Sequence, residues 1–175
     1  MKEMEIKDLQ NTPITCACDG AMHCENIDFS VHIDYIKLRE DAIEPTRGSV
    51  AAAGYDLYVP SSEADIAIPA HQTVLVNTQI AIAFPPQTFG AIFARSGLAT
   101  KLGLRPANCV GVVDSDYRGA IGVALHNDTE EERIVKAGER IAQLVVIPFI
   151  PITFEEQHSL EDTERGDGGF GSTGK

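Results

Sequence analysis

The stretch Val74-Leu75-Val76-Asn77-Thr78-Gln79-Ile80-Ala81-Ile82-Ala83-Phe84 has the clearest period in the chain. Val74, Val76, Ile80, Ile82 and Phe84 alternate with Leu75, Asn77, Gln79, Ala81 and Ala83. Side chains of a strand point alternately to its two faces, so this pattern predicts a strand with one face in a core. Similar β-type runs occur on either side, at 31–38, 55–59, 65–68, 90–94, 109–113, 120–127, 133–135 and 140–149. Turn formers separate them: Pro60-Ser61-Ser62, Pro69-Ala70, Pro85-Pro86, Asn127-Asp128 and Ala137-Gly138. Many short strands at this spacing predict an all-β sandwich, jelly roll or barrel. A single short helix is expected over 96–102, started by Ser96 and stopped by Gly103.

The 175 residues suit one domain with a real core, and 43% hydrophobic with 23% charged residues is ordinary for a globular protein. No apolar run approaches the length of a membrane span, so no membrane association is expected. The first ten residues are acidic and polar, which argues against a secretory or mitochondrial leader and points to the cytoplasm. A net charge of −12 speaks against non-specific nucleic-acid binding. It leaves room for an anionic small ligand if Arg95, Lys101, Arg118, Arg140 and Arg165 converge, or if a divalent metal offsets the repulsion.

The chain reads as an extension at 1–30, a β core at 31–154 and a polar, glycine-rich arm at 155–175. Cys16, Cys18, His23 and Cys24 cluster in the extension; Cys-x-Cys and adjacent His-Cys match zinc-ligand spacings poorly and favour an incidental group of reduced thiols. Cys109, in an apolar run, reads as a buried free thiol. The arm ends Arg165-Gly166-Asp167-Gly168-Gly169-Phe170-Gly171-Ser172-Thr173-Gly174. It is either a flexible terminus or a closing arm, whose glycines admit phosphate close to the backbone while the aromatic stacks on a base.

Four internal pieces carry candidate chemistry. Arg95-Ser96-Gly97-Leu98-Ala99 lies where a strand passes into a helix, and it is either a capped helix or an anion site of amides, hydroxyl and guanidinium. In Asp114-Ser115-Asp116-Tyr117-Arg118-Gly119 the first carboxylate is either a base that activates water or part of a hairpin turn. Asp56, in Gly54-Tyr55-Asp56-Leu57, suits a metal, a water or a turn. Gln143 lies within Ile141-Ala142-Gln143-Leu144-Val145 and must find a backbone or ligand partner there.

In order, Ala53-Gly54-Tyr55-Asp56-Leu57, Arg95-Ser96-Gly97-Leu98-Ala99, the run from Gly111 to Gly119, Gly138-Glu139-Arg140-Ile141-Ala142-Gln143-Leu144, and Arg165-Gly166 with Gly169-Phe170-Gly171-Ser172-Thr173-Gly174 resemble the five motifs of the trimeric dUTP diphosphatase family. The resemblance covers about residues 31–175 and implies a distorted jelly-roll or β-barrel subunit in a homotrimer whose sites are shared among chains. It implies that Asp114 activates water for attack on the α-phosphate of dUTP, giving dUMP and pyrophosphate. Tyr117 resembles the filter against a 2′-hydroxyl. Asn108, Gly111, Val112, Val113 and Gly122 would hold uracil, with Phe170 stacked on it. Arg95, Ser96, Gly97, Gln143, Arg165, Gly171, Ser172 and Thr173 would hold the phosphates, and Asp56 would reach Mg²⁺ through water.

Two departures stand out: Ala94 replaces the Gly or Pro common before the Arg-Ser pair, and residues 1–30 have no counterpart in the family core. Two rival functions are a dCTP deaminase of the same fold, whose third motif lacks the tyrosine, and a non-catalytic dUTP-binding regulator.

Overall fold

Alternate residues of 74–84 stay on the core side along its whole length, with Ala81 buried on the other face as well, but the chain does not stay in one sheet. The computed structural model describes residues 31–169. In it the run becomes two strands, β5 (Thr73–Asn77) and β6 (Ile80–Ala83). Gln79 adopts a left-handed φ of 59°, and its amide donates to the Asn77 Oδ1 at 2.8 Å. Thr78 is buried and donates its hydroxyl to the Ile121 carbonyl at 2.8 Å. This local turn redirects the backbone without changing parity: Val76, Thr78, Ile80, Ile82 and Phe84 are all buried. The expected single strand is therefore corrected to a pair joined by a corner that Ile121, a residue distant in sequence, closes.

The remaining strands are β1 (Asp34–Lys37), β2 (Thr46–Arg47), β3 (Tyr55–Tyr58), β4 (Ile66–Ile68), β7 (Thr88–Phe93), β8 (Leu104–Pro106), β9 (Gly111–Val113), β10 (Gly122–Asn127), β11 (Arg133–Val135) and β12 (Arg140–Pro148). Every pairing is antiparallel. The largest sheet runs β2-β3-β12-β7-β9, a second runs β5-β10-β8, and β1-β6 and β11-β4 form two-stranded ribbons. This is a jelly-roll β architecture. Leu57, Ile68, Val76, Ile80, Leu104, Val123, Leu125 and Ile141 meet in one core between the sheets. Each such side chain contributes roughly 1.5–3 kcal/mol by leaving water.

Asn127 is buried at the end of β10, and all its polar atoms are occupied. Its amide donates to the carbonyls of Ile68 and Glu131, while its oxygen accepts from the Thr129 amide and hydroxyl. The expected turn at Asn127-Asp128 is thus fastened to β4. No helix among the described residues is long and apolar enough to cross a membrane.

The expected helix is present as one short element whose last five residues, Leu98–Leu102, form a π-helical turn. Gly103 ends it at φ 65°, and a Cβ there would also collide with Thr129. Ser96 does not cap it by its side chain. The Arg95 carbonyl accepts the first turn bond from Ala99, and the Ser96 carbonyl takes the Thr100 hydroxyl.

Candidate active site

A row of four residues crosses the large sheet: Thr46, Asp56, Gln143 and Phe93 stand beside one another on β2, β3, β12 and β7. Cross-strand neighbours share a face, so the carboxylate of Asp56 and the amide of Gln143 open together into a cleft of about 700 Å³. Gln143 donates its Nε2 to the Ala94 carbonyl at 2.9 Å, which supplies a backbone partner for this polar group in an apolar strand. Gly54 permits that arrangement, since a Cβ on it would come within 2.7 Å of Gln143 Oε1.

Arg140 joins the same face through an irregularity in β12. Three positions before Gln143, it would point to the opposite side of a regular strand. The register against β3 slips between Arg140 and Ala142, and such a bulge re-aims a side chain. Ala142 and Leu144 face the core, whereas Arg140 and Gln143 line the cleft. The Arg140 guanidinium donates to Asp56 Oδ2 at 3.2 Å, and the Arg95 Nε donates to Asp56 Oδ1 at 2.9 Å. Arg95 also donates an Nη1 bond to the Arg140 carbonyl at 3.3 Å. The Asp56 side chain is 13% exposed and both its oxygens are engaged. Arg140 is among the five cations expected to converge, although a regular period along β12 would have turned it away from the cleft.

Ser96 and Gly97 lie exposed on the cleft wall, at the entry to the short helix. Of the five cations expected to converge, Arg95 and Arg140 line the cleft. Arg118 instead donates to the carbonyls of Ser115 and Tyr117 and fastens its own turn, while Arg165 donates to the Gly168 carbonyl.

The segment from Asn108 to Gly122 is arranged differently. β9 pairs with β7, whereas β10 pairs with β5 and β8, so Asp114 to Gly119 is a crossing between sheets and not the hairpin of two paired strands. A turn bond from the Tyr117 amide to the Asp114 carbonyl, 3.1 Å, sets its shape. The Tyr117 hydroxyl donates to the Ala120 carbonyl at 3.2 Å, and Gly119 makes room, because a Cβ there would collide with the ring. Gly111 packs against Ile92 with the Asn108 amide beside it, and Gly122 sits opposite Asn77 over Leu75. Asp114 is exposed, and its carboxylate has no hydrogen-bond partner among the described residues. Val112 is 62% exposed and Tyr117 47%. Asn108, Gly111, Val112, Val113, Asp114, Tyr117 and Gly122 do not line the cleft that holds Asp56, Arg95, Ser96, Gly97 and Gln143.

Cys109, expected buried, is exposed. It occupies the turn before β9 at φ 60°, outside the apolar strand it was assigned to, with its sulfur 3.9 Å from the Arg105 guanidinium. Arg105 also forks onto Asp128 at 2.7 and 2.9 Å and holds that carboxyl below the usual carboxylate range. Phe170, Gly171, Ser172 and Thr173, like Cys16, Cys18, His23 and Cys24, lie outside the described residues.

The sequence matches the dUTPase family over residues 40–174. The rat deoxyuridine 5′-triphosphate nucleotidohydrolase is 48% identical over 141 residues, 81% of this chain and 66% of that protein. The enzyme of the same name from Paramecium bursaria Chlorella virus 1 is 49% identical over 142 residues, 79% of this chain and 94% of that protein. The chain therefore spans just under two thirds of the rat relative and nearly the whole of the viral one. Among solved structures, the Staphylococcus bacteriophage 80alpha dUTPase with dUPNHPP superposes with a TM-score of 0.76 at 26% identity, covering 83% of this chain and 100% of that one.

Proposed function

The chain belongs to the dUTPase family, and on that premise we propose that it hydrolyses dUTP to dUMP and pyrophosphate. The observation that carries the reading is the cleft itself, lined by two guanidiniums, the Gln143 amide and the exposed residues Ser96 and Gly97. Planar forked donors suit phosphate oxygens, and they make an anion site in a chain of net charge −12. Arg95, Ser96, Gly97 and Gln143 bind the phosphate chain in this reading. Arg165, Gly171, Ser172 and Thr173 close over its far end.

Asp114 is the base. Its carboxylate takes a proton from water as the water oxygen bonds to the α-phosphorus, and pyrophosphate departs with the electrons of the broken α–β bridge bond. Uracil lies along Asn108, Gly111, Val112, Val113 and Gly122 with Phe170 stacked over it, a contact worth about 1–3 kcal/mol. Backbone groups matched to the uracil donor–acceptor pattern are stranded by cytosine, which gives discrimination on the order of 10⁴-fold. Tyr117 fills the space a 2′-hydroxyl would need.

Among the described residues no group of three His, Cys, Asp or Glu side chains forms a metal cage. Asp56 gives one lone pair of each oxygen to an arginine and retains acceptor capacity, so it fits a water-mediated role and not direct coordination. Mg²⁺ bound mainly by the substrate's phosphates and water would neutralise part of their charge. The outward-facing Asp114 segment and the separate cleft support a homotrimer in which one chain's segment meets another's cleft, with a third chain's arm closing the site.

Pyrophosphate release measured with dUTP, dTTP, dCTP and UTP, with and without Mg²⁺, tests the reading. Turnover of dUTP alone at a high rate is expected. Ammonia release from dCTP, or tight dUTP binding without pyrophosphate release, would replace it with the deaminase or the regulatory reading.

A further inference from the structure

We propose that Asp56 is a positioning residue that aligns Arg95 and Arg140 as a paired donor, and that this role operates without a metal. The inference rests on reading the cleft as the phosphate site and adds what makes that site rigid. Two guanidiniums facing one anion-binding cleft repel each other and have flexible stems. Asp56 answers both problems, since each oxygen holds one arginine, at 2.9 and 3.2 Å, from a backbone fixed between β2 and β12. The bond from Arg95 to the Arg140 carbonyl adds a third tie, so the two forks are fixed relative to each other and to the sheet. Two cations and one anion leave the trio with a net positive charge. The Nη2 of Arg95 has no partner among the described residues and remains available to phosphate oxygens. The bulge in β12 belongs to the same device, because without it Arg140 would face the core.

The role of a carboxylate that acts only through a bound cation differs in what its loss disturbs. Asp56→Asn keeps the size and one acceptor but removes the charge that holds both arginines. The full chain and this variant would be compared for dUTP turnover across a Mg²⁺ titration, and for binding of the analogue dUPNHPP in EDTA. The expected result is a loss in kcat on the order of 10²-fold that saturating Mg²⁺ does not restore, as misplacement by about 1 Å produces. Metal-free analogue affinity falls about tenfold. In an Arg140→Gln background the further loss from Asp56→Asn shrinks, because the two act as a unit. Unchanged metal-free affinity with a kcat restored by excess Mg²⁺ would overturn the proposal, as would strictly additive losses. If Asp56→Asn does not fold, Asp56→Glu retains the charge on a longer stem. It should lose about tenfold in kcat at an unchanged Mg²⁺ requirement, and wild-type kcat would contradict the alignment role. Wild-type protein that releases no pyrophosphate from dUTP would instead remove the reading of the site itself.

Discussion

In the cleft, Asp56, Arg95, Arg140 and Gln143 all find partners inside one chain, so their positions are set before any ligand arrives. Along the segment from Asn108 to Gly122 the backbone is equally well held, by the Asp114–Tyr117 turn and by Arg118, yet its side chains look outward. Val112 and Tyr117 expose apolar surface there, and the Asp114 carboxylate has no hydrogen-bond or ion-pair partner among the described residues. Preorganised donors suit binding an anion that is already charged, while a carboxylate left unpaired stays available to take a proton. On the proposed reading, the two regions divide binding from chemistry, and neither completes the site by itself.

The largest effect should follow from touching the second region. Asp114→Asn is expected to lower kcat by about 10³-fold while dUPNHPP affinity stays near wild type; an equal loss in both would erase the division. Arg95→Ala attacks the first region and should do the reverse. It removes a charge-assisted donor and leaves Asp56 with one arginine, weakening dUPNHPP binding roughly 30-fold and lowering Tm by about 3 °C. Calorimetry and a thermal melt would check both, and wild-type affinity would break the comparison from the other side. Tyr117→Ala should raise the UTP-to-dUTP ratio of kcat/KM about tenfold without changing affinity for pyrophosphate. An unaltered ratio would remove Tyr117 as the sugar filter.

The smallest effect is expected away from both regions, at Asp128. Its folded carboxyl is depressed chiefly by its hydrogen bonds with Arg105, with lesser help from His126 and His71. A depressed carboxyl stabilises the fold above its unfolded value of about 4, and that contribution disappears as pH falls through the lower folded value. Asp128→Asn should therefore melt slightly earlier than wild type at neutral pH, and the two curves should converge in acid. A gap that widens in acid would reverse the sign.

The sequence made the face of each residue in 74–84 readable, because parity survives a two-residue corner. It did not reveal the corner, which depends on Thr78 and Ile80 bonding to Ile121 from another part of the chain. β2 and β8, two and three residues long, are too short to show a period, and β8 ends in a proline. The cleft was legible as motifs at Asp56, Arg95 and Gln143 and in Arg140 as a converging cation, but the bulge that turns Arg140 toward Asp56 was not. Cys109 was misread because an apolar neighbourhood in sequence hid a turn at positive φ.

Mixing two variants, one impaired in chemistry and one in binding, tests the division between regions most directly. Asp114→Asn and Arg95→Ala chains would be unfolded, combined in equal amounts, refolded together and assayed for pyrophosphate release at dUTP concentrations well below the wild-type KM, where each variant alone is nearly silent. If one chain's Asp114 segment completes another chain's cleft, random assembly restores about a quarter of wild-type activity, since that share of sites takes an intact half from each chain. No recovery, in oligomers shown to contain both variants, would contradict a site built between chains.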